Sequence, residues 1–145
     1  MTQEDKMLLI KDLSARLPYA VIVEHTSGFR GTLHDITVHH MYDENDNVYD
    51  AVCYTNFFGD EDNISIECFK PYLFPLSSMT EEQRQEYTYI VNYISPDDTD
   101  NWKEGEFIYV EQFAQLMHFY HINHLDYMGL IEKELSIDAT GLNVY

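Results

Sequence analysis

The stretch AVIVEHTSGFRG, residues 20–31, decides the fold because the spacing of apolar residues changes there from helical to alternating. Its β-branched start is typical of a strand, and its glycine-containing end is typical of a turn. The alternation continues downstream between acidic turns and predicts strands over 20–26, 32–42, 48–57 and 64–68. Four consecutive strands with short polar turns indicate an antiparallel meander, either open or curled into a small barrel.

The residues before the meander are predicted to form an N-terminal helix over 2–17. Thr2 can cap its start, and Pro18 ends it because the residue before a proline is pushed out of the helical region. One face of this helix is apolar and consists of Leu9, Ile10, Leu13 and Leu17.

Helical spacing returns after the meander. Residues 71–75, which begin and end with proline, are predicted to form a rigid, buried crossover from sheet to helix. Thr80 and Gln83 make a capping box that starts a second helix. The apolar spacing over 107–124 predicts a third helix, and residues 129–133 are expected to form a short helical turn. This order of elements predicts an α+β fold whose helices cover one face of the sheet.

Length and composition indicate one folded domain over residues 1–145, because 45% of the residues are hydrophobic and 14% are aromatic. The chain has 26 acidic and 8 basic residues, which gives a formal charge of −18 and a pI near 4.4. Phosphates of nucleic acids and anionic membrane surfaces are both bound through clustered cations. Direct binding of either is therefore not expected.

The apolar runs of the sequence are shorter than the roughly 20 residues that a membrane span requires. The first five residues, MTQED, are polar and acidic and do not resemble a secretory signal. A cytoplasmic protein is therefore expected.

The acidic residues are concentrated in the predicted turns and in the loop over 97–106. Between Gly31 and Phe69 the sequence has nine acids and no lysine or arginine. Such clusters predict a negative surface for a basic protein partner, with these candidate binding residues: Asp43, Glu44, Asp46, Asp60, Glu61, Asp62, Asp97, Asp98 and Asp100. Two alternatives stay open, namely acidity that only keeps the protein soluble and a DNA mimic whose carboxylates replace phosphates.

Three histidines, His118, His121 and His124, recur every third residue near the end of the third helix, and Asp126 follows them. This spacing permits a metal site but does not specify one. Surface or capping histidines, whose imidazolium would interact favourably with the helix dipole, explain the same spacing. No metal and no cofactor is expected.

Cys53 and Cys68 are the two cysteines, and both fall in predicted strands. We expect them to be reduced and buried, although neighbouring strands would also allow them to pair. A thiol–imidazole pair of Cys53 and His40 is geometrically conceivable, but no cation or helix N-terminus is predicted to activate the thiol. The sequence therefore predicts a protein that is not an enzyme.

Three blocks of the chain resemble a family of small proteins found in phages and integrated mobile elements of gut bacteria. The blocks are KDLxARLPY at 11–19, KPYLFPLSSMTEEQ at 70–83 and DYxGLIEKxLxIDATGLN at 126–143. Relatives often carry Arg near Met128 and Gly near Glu134, and this sequence departs from that pattern at both. The family has no known activity, so the resemblance implies an accessory role in a mobile element and transfers no catalytic residue.

Taken together, these features predict a non-enzymatic acidic interaction protein, monomeric or homodimeric, that binds a basic host or phage protein. Inhibition by DNA mimicry or interference with host defence would fit the mobile-element resemblance. The alternative is a protein that binds a small, nucleotide-like ligand in an aromatic-lined pocket, because the chain has 12 tyrosines and 8 phenylalanines.

Overall fold

A computed structural model describes residues 1–36, 52–55, 62–92 and 110–145. These residues contain three α-helices, α1 (Gln3–Arg16), α2 (Glu81–Asn92) and α3 (Val110–Ile122). They also contain seven strands: β1 (Ile22–His25), β2 (Arg30–Thr32), β3 (Val52–Thr55), β4 (Asp62–Ser65), β5 (Phe69–Pro75), β6 (Leu125–Asp126) and β7 (Ile137–Asp138).

Strand β5 is the centre of a mixed, open sheet with the order β2-β1-β5-β6. Strand β1 is antiparallel to β2 and to β5, whereas β6 and β7 pair with β5 in parallel. Strands β3 and β4 form a separate antiparallel pair. The α+β class and the two antiparallel pairs are confirmed. The antiparallel meander and the barrel are wrong, because the main sheet is mixed and open.

The predicted crossover over 71–75 is also wrong, since these residues belong to the central strand. Prolines disfavour a central strand because they lack an N–H group. The strand still pairs with its neighbours here, because its non-proline residues keep their backbone N–H and carbonyl groups. The carbonyl of Leu73 accepts from the Ala139 N–H at 2.8 Å, and the Phe74 N–H donates to the His124 carbonyl at 2.9 Å. The partner segments come from more than 45 residues away, so local patterns could not indicate them.

The starts of the first two helices are confirmed. The side chain of Thr2 caps α1 in a capping box, and the side chains of Thr80 and Gln83 bond reciprocally to each other's backbone N–H groups at the start of α2. The predicted helical turn over 129–133 is present as a hydrogen-bonded turn, in which the Lys133 N–H donates to the Gly129 carbonyl at 3.3 Å. Within the described ranges, no helix has the length and apolar content needed to cross a bilayer.

The main core lies between α1 and one face of the sheet. The predicted apolar stripe of α1 contributes Leu9, Ile10 and Leu13, all buried. They pack against buried residues of the sheet and of the segment that follows β6: Val21, Val23, Leu33, Ile66, Phe69, Leu73, Leu130 and Leu135. Burial of each of these side chains contributes about 1.5–3 kcal/mol.

A second, smaller core lies on the opposite face, because successive side chains of a strand alternate. Phe69 and Leu73 of β5 face α1, whereas Phe74 packs with α2 and α3. The buried residues of this core are Ile90, Phe119 and Leu125. Phe74, near the end of β5, belongs to the second core and also lines the candidate site.

Candidate functional site

The predicted partner-binding acids fall almost entirely outside the described residues. Asp62 is the first residue of β4 and pairs with Thr55 of β3. The other eight lie in segments whose structure is not described: Asp43, Glu44, Asp46, Asp60, Glu61, Asp97, Asp98 and Asp100. Their role stays a prediction from the sequence.

A buried ion pair on α1 is the most pronounced polar feature of the described residues. Asp12 and Arg16 are both fully buried, and the carboxylate accepts from Nε of Arg16 at 2.7 Å and from Nη2 at 3.0 Å. Nη2 also donates to the carbonyl of Leu125 at 2.8 Å. The guanidinium therefore joins α1 to the first residue of β6.

The surroundings of this pair are only partly polar. The guanidinium lies 5.3 Å from the centroid of the Tyr127 ring, and its Nη1 atom has no hydrogen-bond partner among the described residues. Burial raises the pKa of the Asp12 carboxyl, and the hydrogen bonds from Arg16 oppose that shift. The cost of removing these charges from water is therefore only partly offset by their mutual attraction.

Sequence reasoning did not identify this pair, although a signal was present. Residues 12 and 16 are separated by one helical turn, and both share the helix face of Leu9 and Leu13. An acid and an arginine at this spacing on a predicted core face indicate a buried pair rather than a solvated one. The prediction treated α1 only as an apolar stripe.

Each of the three histidines contacts a tyrosine. Nδ1 of His118 lies 3.0 Å from the hydroxyl of Tyr19, and Nε2 of His121 lies 3.0 Å from the hydroxyl of Tyr127. The ring of His124 stacks on that of Tyr145, with centroids 3.8 Å apart.

The interpretation of these histidines as surface and capping imidazoliums is wrong for two of them. Burial lowers the pKa of His121 to about 4 and that of His124 to about 4, with the Arg16 charge as the next cause. Both rings are therefore neutral at pH 7. Asp126, the nearby candidate acid, accepts backbone N–H bonds from Leu130 and Ile131 at 2.9 and 2.8 Å. Across the described ranges no group of three or more His, Cys, Asp or Glu side chains is arranged to hold a metal ion.

Tyr145 fastens the C-terminal segment across two strands. Its hydroxyl accepts from the Ile22 N–H at 3.3 Å and donates to the Tyr72 carbonyl at 2.6 Å. The phenol oxygen therefore bridges β1 and β5 just beyond their last paired residues, Val23 and Pro71. Burial raises the pKa of this phenol to about 12, so the hydroxyl keeps its proton at neutral pH.

A cavity of about 300 Å³ lies where the start of α2, the end of α3 and Tyr145 meet. Its apolar lining consists of Phe74, Ile122 and Leu125, and the stacked rings of His124 and Tyr145 also border it. Its polar lining consists of Ser78, Thr80, Gln83 and Asn123. We name this space the α2–α3 cavity; it is the candidate ligand site of the described structure.

The cysteine predictions are only partly testable. Cys68 is a free, half-buried thiol in a short 3-10 helix rather than in a strand. Cys53 pairs with Ile64 in the β3–β4 ladder, as expected for a strand residue. His40 lies outside the described residues, so the thiol–imidazole hypothesis stays untested.

Comparison with known proteins gives no match, whether to a family model, to a curated protein or to a solved structure. Function is therefore inferred from the charges, contacts and cavity of the chain itself.

Proposed function

We propose that this protein is a non-enzymatic interaction protein of the cytoplasm that binds a basic protein through its acid-rich segments. The observation that carries the proposal is the uneven distribution of charge along the chain. Segments 37–51, 56–61 and 93–109 have Lys103 as their one basic residue. They have these acids: Asp43, Glu44, Asp46, Asp50, Asp60, Glu61, Asp97, Asp98, Asp100, Glu104 and Glu106.

Three of the seven lysines and arginines in the described residues form ion pairs with acids. Arg16 pairs with Asp12, Arg30 pairs with Glu24 at 2.9 Å, and Lys6 pairs with Glu67 at 2.9 Å. Because the whole chain has 26 acids and 8 lysines and arginines, its own cations are too few to balance the acid-rich segments. A basic partner supplies the missing positive charge, and the long-range attraction accelerates association in a salt-dependent way.

In this account the resemblance to mobile-element proteins supports an accessory role. A partner that normally binds nucleic acid offers a groove of cations, which carboxylates at suitable spacing occupy in place of phosphates. The protein acts in this way as a monomer or a homodimer. DNA mimicry is the most specific form of the proposal, and a basic partner without nucleic-acid affinity is the more general form.

Affinity capture at two salt concentrations tests the proposal. The tagged full chain is incubated with lysate of its native cells, and retained proteins are identified by mass spectrometry. Three triple variants neutralise one acidic segment each: Asp43→Asn/Glu44→Gln/Asp46→Asn, Asp60→Asn/Glu61→Gln/Asp62→Asn and Asp97→Asn/Asp98→Asn/Asp100→Asn. We expect a basic protein to be retained at low salt and lost at high salt, and at least one variant to retain much less of it.

A matched control distinguishes the effect of a local binding surface from the effect of the total charge of the chain. The variant Glu81→Gln/Glu82→Gln/Glu86→Gln removes the same three charges from exposed positions on α2. If the proposal holds, this control retains the partner about as well as the unmodified chain does. Equal retention by all four variants would show that the acid-rich segments do not form the binding surface.

The α2–α3 cavity favours a second candidate function, which is binding of a small ligand. Its volume lies at the lower end of the range of ligand pockets, and its lining combines aromatic rings with hydroxyl and amide groups. The lining has no acidic or basic side chain apart from the neutral ring of His124. A neutral heterocycle therefore fits this cavity better than a charged nucleotide.

A further inference from the structure

The α2–α3 cavity has a fixed polar side formed by two amides. Nε2 of Gln83 donates to Oδ1 of Asn123 at 2.8 Å, and Oε1 of Gln83 accepts from the Thr80 N–H at 2.8 Å. Nδ2 of Asn123 donates to the Phe119 carbonyl at 2.9 Å. These bonds hold both amide planes in place before any ligand arrives.

Each amide still has hydrogen-bonding capacity. A side-chain amide has two N–H donors and an oxygen with two lone pairs. Within the described residues, Gln83 and Asn123 each use one donor and one lone pair on the bonds above. Each therefore keeps one donor and one acceptor, which together match an adjacent N–H and C=O on a ligand.

The remaining lining of the cavity includes an apolar and aromatic part. Phe74 and Leu125 come from the paired ends of β5 and β6, and the ring of Tyr145 lies 5.9 Å from that of Phe74. A flat ring buries its faces well against such surfaces. The volume of about 300 Å³ accommodates a one- or two-ring compound.

From this arrangement we propose that the α2–α3 cavity binds an uncharged heterocycle with a lactam edge, the chemistry of a nucleobase such as uracil or hypoxanthine. The inference rests on the second candidate function, small-ligand binding. Asparagine and glutamine amides read the adjacent donor and acceptor of a base edge in the same way in nucleic-acid complexes. Glu81 and Glu82 follow the lining residue Thr80 in the chain, and the chain has a net charge of −18, so a phosphate on the ligand is expected to weaken binding.

Titration of the full chain followed by backbone amide NMR tests the inference. The probes are uracil, hypoxanthine, uridine monophosphate, and indole as a ring compound without a lactam edge. We expect saturable shifts for residues 78–83 and 122–125 with uracil or hypoxanthine. Indole should bind about tenfold more weakly, and the monophosphate more weakly than uracil.

Two pairs of variants locate the site. Ile122→Arg places a bulky charge at the exposed rim, and Phe113→Arg makes the same change at an exposed position elsewhere on α3. Asn123→Leu removes one amide, and Gln115→Leu is its exposed control. We expect Ile122→Arg to lower the affinity about tenfold or more and Asn123→Leu to lower it about three- to tenfold. Both controls should bind as the unmodified chain does.

The outcomes separate this inference from the function on which it rests. Equal binding of indole and uracil overturns the proposal that the cavity recognises a lactam edge, whereas small-ligand binding itself is then supported. No saturable shift with any probe overturns both. Binding that Ile122→Arg leaves unchanged places the site elsewhere and overturns the assignment to this cavity, even if Asn123→Leu does not fold.

Discussion

Two ion pairs of similar chemistry lie at different depths in this protein. On α1, Asp12 and Arg16 are fully buried, and the guanidinium is 5.3 Å from the centroid of the Tyr127 ring. On the sheet, Glu24 and Arg30 have side chains that are 28% and 53% exposed. The Arg30 guanidinium lies 4.9 Å from the centroid of the Tyr72 ring. Each pair thus combines a carboxylate, an arginine and a tyrosine.

The pKa shifts of the two acids have opposite signs. Burial raises the pKa of Asp12 despite its two bonds to Arg16. Hydrogen bonds from Tyr72 and then from Arg30 lower the pKa of Glu24, because little desolvation opposes them. The comparison teaches that the depth of burial, rather than the identity of the partners, decides how an ion pair affects the stability of the fold.

The largest expected effect is the loss of the buried arginine. Arg16→Met leaves the Asp12 carboxylate buried without a cation, so we expect the free energy of unfolding to fall by about 3–5 kcal/mol. Arg30→Met is the matched change at the exposed pair, and urea unfolding should show no measurable difference from the unmodified chain. Equal losses in both variants would contradict the comparison.

A double variant sharpens this test. Asp12→Leu/Arg16→Met replaces both charges by apolar groups, which removes the desolvation cost together with the attraction. We expect urea unfolding to show that most of the stability lost in Arg16→Met returns. A double variant as unstable as the single one would mean that the Arg16 bond to the Leu125 carbonyl is more important than the ion pair.

The next largest effect concerns the neutral histidine near the buried pair. The pKa of His121 is about 4 in the folded protein, below the ordinary value of 6.5, so the fold favours the neutral ring. This contribution is present above pH 6.5 and is lost as the pH falls towards 4, at a cost of about 3 kcal/mol. Urea unfolding across this range should show a smaller decrease in stability for His121→Gln than for the unmodified chain. Identical pH profiles would show that His121 does not titrate on unfolding.

A smaller effect is expected where the polar group is neutral. Tyr145→Phe removes the hydroxyl that bridges the Ile22 N–H and the Tyr72 carbonyl. Leaving these two groups without that partner should cost about 1–2 kcal/mol in thermal or urea unfolding. Because no charge is involved, this loss gives the scale against which the Arg16 effect is judged. If Tyr145→Phe lowers the free energy of unfolding as much as Arg16→Met does, the larger effect expected for Arg16 is not due to its charge.

The smallest effect lies at the exposed Glu134, whose φ of 58° falls in the left-handed region that favours glycine. Glu134→Gly should raise the free energy of unfolding by about 0.5 kcal/mol, because relief of strain exceeds the entropy lost by glycine. Glu132→Gly, at a residue without positive φ, is the control and should not stabilise. Stabilisation by both changes would point to removal of negative charge instead.

The sequence predicted the parts of the fold that have local signals. The capping residues Thr2 and Thr80 and the apolar stripe of α1 are properties of short segments, and the structure confirms them. The role of β5 depends on parallel pairing with two-residue strands near Leu125 and Ile137. Such short strands have no periodicity to detect, and Pro71 and Pro75 argued against a central strand.

The candidate site also combines features that have local sequence signals with features that only the tertiary structure produces. Spacing identified the histidines of α3, but whether an imidazole is charged depends on burial and on residues distant in sequence, such as the charge of Arg16 and the stacked ring of Tyr145. The α2–α3 cavity joins residues about 70 positions apart, Phe74 and Tyr145 among them, so only the tertiary structure assembles it. The acidic segments remain a prediction from composition.

The salt dependence of association with the captured basic protein tests the central claim most directly. Stopped-flow measurement of the association and dissociation rate constants over a series of salt concentrations separates long-range attraction from short-range contacts. We predict that the association rate constant falls steeply as salt rises, while the dissociation rate constant changes little. An association rate constant that does not depend on salt would contradict the claim that the acid-rich segments drive binding.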